Sequence, residues 1–203
     1  MSSQQINQVL AFWFAERERT ELVVDSRMDC WFGDNEQFDL ELGRQFSARV
    51  EEALKGDLDH WAGQKDGRLA LILLLGQFPR HIYKGTREAF AGDRQALKFC
   101  EAGVADESYR NMSALQQMFF FMPLQRMESL KVQDTSVKIY WALTKGVSDT
   151  LRDSFETVAQ FAELRRDVIE QFGRFPHRNA PLGRTNTGNE ENYLTAQTCA
   201  APV

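Results

Sequence analysis

Residues that mark disulfide-stabilised, metal-binding or nucleotide-binding proteins are scarce in this chain. Its 203 residues include three cysteines and three histidines. Cys30, Cys100 and Cys199 are odd in number and far apart, and no Cys-x-x-Cys pair or Cys/His spacing occurs. We therefore expect reduced thiols in a cytoplasmic protein and no metal site. Walker, Rossmann, Gly-x-Ser-x-Gly and His-Glu-x-x-His motifs are also absent, so no cofactor is predicted.

Long apolar runs and an excess of positive charge are missing as well. The longest purely apolar run, Leu69–Leu75, is far shorter than the roughly 20 residues that span a bilayer. The N-terminus is polar and then amphipathic, which is not the pattern of a signal peptide. The net charge is −5 and the pI is about 5.3. An acidic chain is poorly suited to nucleic acid or an anionic membrane, so we expect neither as a partner.

Helical periodicity is what the sequence has in abundance. Apolar residues recur at helical spacing over residues 4–14, 34–54, 129–145 and 149–172, whereas strand-like alternation is not found. The segment Gly67–Phe78 is apolar nearly all round and is predicted to be the central buried helix, with Leu73 in the core. We predict an all-α fold: one domain over residues 1–203, built as an array of about seven to nine helices.

Capping residues predict several helix boundaries. Asp34 is placed to cap the helix over residues 34–54, and Gly103 to end a short helix that starts near residue 93. Gly173 follows the long helix over residues 149–172, as a C-terminal glycine does. Thr187-x-x-Glu190 has the capping-box pattern and predicts one more short helix.

A short signature occurs twice. Gly76–His81 reads Gly-Gln-Phe-Pro-Arg-His, and Gly173–Arg178 reads Gly-Arg-Phe-Pro-His-Arg. Both contain Gly-x-Phe-Pro, followed by one arginine and one histidine in either order. Proline lacks an N–H and disfavours helix at the preceding residue, so we predict that a helix ends at each signature. We call these segments the first and second Phe-Pro corners.

The two corners and the residues after them concentrate cations in an acidic chain. Guanidinium groups bind carboxylate or phosphate with two parallel hydrogen bonds, and histidine moves protons near neutral pH. We predict that both corners face one concave surface and form a pocket for a small anionic ligand. His177 and Glu128 are the candidate catalytic residues, as an acid/base pair. The candidate ligand-binding residues are Gln77, Arg80, His81, Arg126, Arg174, Arg178, Asn179 and Arg184.

Other interpretations remain open. Arginine and histidine after a helix end also bind the helix's own unpaired carbonyls, so each corner has a purely structural explanation. Helical arrays bind peptides or proteins in grooves, but no repeat of about 34 residues is visible here, which favours the pocket. A metal held by His81, His177 and Glu128 lacks a supporting spacing. No activated nucleophile is apparent, and whether the protein is an enzyme is left open.

Both corners resemble the family catalogued as domain of unknown function 924. The resemblance extends from about Ile6 to Leu194, and the corners are its most specific part. It implies an all-helical, TPR-like fold, an occurrence mainly in bacteria and no established activity. The segments that carry it are Phe12–Phe14, Trp31–Gly33, Leu71–Thr86, Arg165–Ile169, Phe172–Asn179 and Leu182–Arg184.

This chain differs from the family pattern at three positions. Gly76 stands where family members tend to have an acidic residue, and His81 where they tend to have asparagine. Arg126 replaces a histidine in a Met-His-Ser-Glu segment, whereas Glu128 is kept. The change at Arg126 disfavours a metal or histidine-dependent reaction there and suits an anion site, because it adds another guanidinium.

Overall fold

The computed structural model describes residues 2–15, 24–63 and 65–200. Most of the described residues are helical and none is in a strand, so the all-α prediction is confirmed. None of these helices is long and apolar enough to cross a membrane. The α-helices are α1 (Ser2–Phe14), α2 (Val24–Phe32), α3 (Glu36–Lys55), α4 (Lys65–Ile72), α5 (Phe78–Ile82), α6 (Asp93–Ala105), α7 (Ala114–Phe120), α8 (Met122–Gln125), α9 (Leu130–Thr144), α10 (Asp149–Phe172), α11 (Asn179–Leu182) and α12 (Gly188–Ala200).

The described residues form more helical segments than the seven to nine predicted, because prolines start short helices here. Pro79 and Pro123 lie in the first turns of α5 and α8, and Pro176 begins the 3-10 turn Pro176–Arg178. The first turn of a helix accepts proline, because its N–H groups have no intrahelical partner. The prediction that a helix ends at Pro79 is therefore wrong.

The first Phe-Pro corner begins in a π-helical turn, Leu73–Gln77, that joins α4 to α5. In a regular helix Pro79 would donate to the Leu75 carbonyl, which it cannot do. Gly92 packs against that carbonyl so closely that a Cβ would overlap its oxygen. The Gly76 carbonyl accepts a hydrogen bond from Nη1 of Arg80 at 2.6 Å. With these contacts the helix continues through the turn without a break.

The core surrounds α4 and the π-helical turn. Leu69–Leu75 are fully buried, as predicted for the central helix. Trp13 of α1 belongs to the same core, with its ring centroid 5.4 Å from that of Phe78 and 5.3 Å from that of Phe119. One continuous apolar cluster links α1, α3, α4, α6, α7 and α10, so the corner rests on a rigid support.

The pair α9 and α10 forms one wall of the molecule. The two helices are antiparallel, with the Trp141 indole N–H donating to Glu163 at 2.8 Å and Arg166 paired with Asp134 at 3.0 Å. The predicted bounds of α10 are confirmed, and it ends at Gly173 in the left-handed region with φ of 69°. The second Phe-Pro corner follows directly, so the end of α10 determines its position.

Local caps match the prediction except in two places. The Thr187/Glu190 capping box is confirmed, with hydrogen bonds of 2.7 and 3.3 Å. Asn35 rather than Asp34 caps α3, because the Asn35 side chain accepts from the amide of the third helical residue at 2.9 Å. Gly103 does not end its helix; it lies inside α6, where Phe120 packs against it.

Candidate functional site

The two Phe-Pro corners meet at one buried carboxylate. Arg80 binds Asp93 through Nη1 and Nη2 at 2.7 and 2.9 Å, and Nη1 of Arg178 reaches the same carboxylate at 3.2 Å. Asp93 is 5% exposed and begins α6. The two corners, which lie about a hundred residues apart in the sequence, therefore approach each other at Asp93. Asp93 was not among the predicted site residues.

Aromatic rings complete this junction. The Arg178 guanidinium lies 4.5 Å from the Phe175 ring centroid and 4.9 Å from that of Phe90, and the Arg80 guanidinium lies 5.3 Å from Phe90. Cations over ring faces are stabilised by the ring quadrupole. Burial lowers the pKa of Arg178 to about 10, so it stays charged at neutral pH. Both arginines thus have a carboxylate of the chain as a partner, although the buried Nε of Arg178 makes no hydrogen bond.

The other cations of the second corner also bind carboxylates of this chain. Arg174 forms two hydrogen bonds with Glu190 of α12, at 2.6 and 2.8 Å. Arg184 forms two with Glu128, at 2.7 and 3.0 Å. Asn179 donates to the Asn186 side chain at 2.8 Å. These paired groups fix the segment that follows α10.

Glu128 and His177, the predicted catalytic pair, lie at this second corner. Glu128 also accepts from the amide of Phe175 at 2.8 Å. Burial raises the pKa of Glu128, but the hydrogen bonds from Arg184 and from that amide outweigh it and lower the pKa overall. Part of His177 is exposed, yet loss of hydration around its ring, and then the charge of Arg178, lowers its pKa to about 4. A catalytic role for this pair stays a prediction, with His177 neutral and Glu128 ionised at pH 7.

A cavity of about 340 Å³ opens beside the first corner. It takes in Gln77, Arg80, His81 and Arg126 of the predicted set. His177, Glu128, Arg174, Arg178, Asn179 and Arg184 do not line it among the described residues. The structure thus divides the predicted site into a cavity at the first corner and a paired support at the second. The cavity's other lining residues are Met28, Trp31, Phe32, Gly33, Asp34, Lys84, Met122, Val158, Phe161 and Arg165.

Two of the cavity's arginines have no carboxylate partner in the described part of the chain. Arg126 donates through Nη2 to the amide oxygen of Gln77 at 3.2 Å, and its buried Nε makes no hydrogen bond. Arg165 of α10 donates through Nη1 to the amide oxygen of Gln125. Burial and then the charge of Arg80 hold the pKa of Arg126 well below its usual value. Burial lowers the pKa of Arg165 to about 10.

Arg165 was not among the predicted site residues. It belongs to one of the segments that carry the family resemblance, but its position on α10 resembles that of a solvated arginine. Its neighbour Arg166 does face outward and binds Asp134 and Glu170. Only the packing of α10 against α8 distinguishes Arg165, which lines the cavity, from Arg166, which faces outward.

The carboxylates of Asp34 and Asp39, near the cavity, already have a cationic partner in the chain. Asp34 lines the cavity and pairs with Lys84 at 3.0 Å. Lys84 also binds Asp39 of α3 at 2.6 Å. Because Asp34 and Asp39 already pair with Lys84, they do not compensate the positive charge of the neighbouring arginines.

His81 and Asp39 form a second feature of the cavity. Nδ1 of His81 is 2.6 Å from an Asp39 carboxylate oxygen, and Trp13 and Phe38 contact the ring edge-on at 5.6 and 5.5 Å. Nε2 makes no hydrogen bond to the described residues. A histidine oriented by a carboxylate, with its other nitrogen open, can accept or donate a proton. Asp39 was missed because it is 42 residues from His81 in the sequence.

We expect stability to fall as the pH drops below about 6.5, in part through His81. Burial lowers the pKa of His81 below its usual value, although Asp39 opposes the shift. The unfolded chain then binds a proton at this histidine at higher pH than the folded protein, so acidification favours unfolding. Urea unfolding of wild type and His81→Asn at pH 7 and 5.5 measures this. His81→Asn should lose less stability between the two pH values.

The exposed His60 supplies the control for this measurement. His60→Gln should keep the wild-type difference between pH 7 and 5.5. An equal loss of stability in wild type and His81→Asn would mean that His81 does not contribute to the pH dependence.

Comparison with known proteins places the chain in a family. The model of the family described as "Bacterial protein of unknown function (DUF924)" matches residues 9–198. The chain belongs to this family. A solved structure of a protein of unknown function from Agrobacterium tumefaciens is similar, with a TM-score of 0.78 and 28% sequence identity, over 96% of this chain and 98% of that one. No curated protein matches. Neither match carries an activity, so the function of this DUF924 protein is argued from its site.

Proposed function

We propose that this DUF924 protein binds a small organic anion, a carboxylate or a phosphate ester, in the cavity beside the first Phe-Pro corner. The observation that carries the proposal is the pair Arg126 and Arg165, which line the cavity and bind only amide oxygens in the described structure. Burial of a charge costs free energy unless a counter-charge is near. An anionic ligand supplies that counter-charge.

The other arginines near the corners support this proposal by contrast. Arg80, Arg174, Arg178 and Arg184 each bind a carboxylate of the chain. The fold thus pairs arginines where they hold segments together. Arginines that lack such a partner and face a cavity are typical of binding sites, where stability is given up for function.

Each residue around the cavity has a proposed role. Arg126 and Arg165 bind the anionic group, and Gln77 orients Arg126. His81, held by Asp39, exchanges a proton with the ligand when the bound molecule carries one. The paired second corner keeps the first corner in place through Asp93. The proposed setting is the cytoplasm, where the free thiols Cys30 and Cys100 would stay reduced.

Arg165→Gln should weaken anion binding about 10–100-fold, the effect of losing one charge-assisted hydrogen bond or two. Binding of acetate, benzoate, inorganic phosphate and phenyl phosphate to wild type and variant is measured by NMR titration or calorimetry. Without ligand, the variant should be at least as stable as wild type, because it loses a poorly compensated charge.

Arg166→Gln is the matched control, since Arg166 is the next residue on α10 and pairs with Asp134 and Glu170 outside the cavity. It should bind anions like wild type. If no anion binds wild type, or if both variants bind equally well, the anion proposal is wrong. The alternative of a TPR-like helical module for a peptide or protein partner would then be preferred.

A further inference from the structure

We infer that the ligand is amphipathic: an anionic head joined to an apolar body of about six or seven carbons. This rests on the proposed anion site and adds the chemical class of its ligand. The feature that leads to it is the second wall of the cavity, which is apolar. That wall is formed by Met28, Trp31, Phe32, Met122, Val158 and Phe161.

Helix α10 contributes residues to both the arginine part and the apolar part of the cavity, at different positions along its length. Val158, Phe161 and Arg165 all line the cavity and follow one another at spacings of three and four residues, so they lie on one helix face. Seven residues of helix separate Arg165 from Val158, which is about 10 Å along the axis. A carboxylate at Arg165 with an extended chain of six or seven carbons would reach Val158.

The aromatic residues at the cavity have apolar surface left to cover. Phe161 is 50% exposed and Phe32 is 41% exposed, whereas Trp31, which also lines the cavity, is 3% exposed. Single exposed apolar residues are common. Two exposed aromatic rings that line one cavity next to uncompensated arginines are more specific, because an apolar body beside them removes both rings from water.

An inorganic anion would occupy only the arginine part of the cavity. The cavity volume of about 340 Å³ lies at the lower end of the roughly 300–1,000 Å³ that is typical of small-molecule sites. Phosphate or acetate would leave the apolar wall in contact with water. Each methylene that is buried there should instead increase affinity about fourfold.

The test is an NMR titration of the full-length protein with acetate, butanoate, hexanoate and octanoate. Inorganic phosphate serves as a head without a body, and hexanamide as a body without charge. We expect affinity to rise at each step from acetate to octanoate, whose apolar body has seven carbons, and weak binding of phosphate and hexanamide. Phe161→Ser should weaken hexanoate at least fivefold and leave acetate unchanged.

Leu164→Ser is the matched control for Phe161→Ser. Leu164 is also on α10 and is 59% exposed, but it does not line the cavity in the described structure. It should bind hexanoate like wild type. If all carboxylates bind with one affinity and Arg165→Gln weakens them all, the apolar body is refuted and the anion site stands. If no anion binds, or hexanamide binds as tightly as hexanoate, the anion site is refuted as well.

Discussion

Asp93→Asn should destabilise the protein by about 3–5 kcal/mol, the cost of removing one partner from a buried ion pair. Asp93 is the shared carboxylate of Arg80 and Arg178, and it is 5% exposed. The amide cannot compensate two guanidinium groups that already lie near Arg126 and Arg165. Urea unfolding at neutral pH, followed by circular dichroism, measures the loss.

Asp149→Asn is the control for this variant. Asp149 also pairs with an arginine, Arg152, at 2.7 Å, but its side chain is fully solvated. Exposed pairs of this kind contribute about 0–1 kcal/mol. A loss below 1 kcal/mol for Asp93→Asn would show that the corners are held together by their ring contacts and not by the carboxylate.

Leu73→Ala should cost about 2–5 kcal/mol, the range for a leucine in a packed core. Leu73 is fully buried and begins the π-helical turn between α4 and α5. The cavity left behind would be surrounded by rigid helices that cannot collapse into it. Thermal and urea unfolding both report the change.

Leu164→Ala makes the same change at a position that is 59% exposed, and it should alter stability by no more than about 0.5 kcal/mol. A similar small loss for Leu73→Ala would mean that the turn repacks and that Leu73 is not part of the rigid core.

Most helices were predictable because their signals are local. The bounds of α10 follow from its apolar periodicity and from Gly173, and the Thr187/Glu190 box locates the start of α12. These signals act within about one helical turn, so they do not depend on the rest of the chain.

The first Phe-Pro corner was not predictable in the same way. The sequence indicates a helix end at Pro79, yet the helix continues through a π-helical turn into α5. The first turn of α5 accepts Pro79, and Gly92, from the segment before α6, packs on the Leu75 carbonyl that the proline cannot bind. The packing around this turn thus accommodates a helix where the sequence predicts a helix end.

The sequence by itself determined an all-helical chain with a leucine-rich central helix, and it showed that cations gather at two Phe-Pro corners. Only the tertiary structure decided which of those cations bind carboxylates of the chain, as Arg178 does, and which face a cavity without one, as Arg126 and Arg165 do. The physical reason is the separation along the sequence of the residues that each interaction joins. Helix formation follows from residues three or four apart, whereas charge compensation depends on which distant side chains the packing brings within about 4 Å.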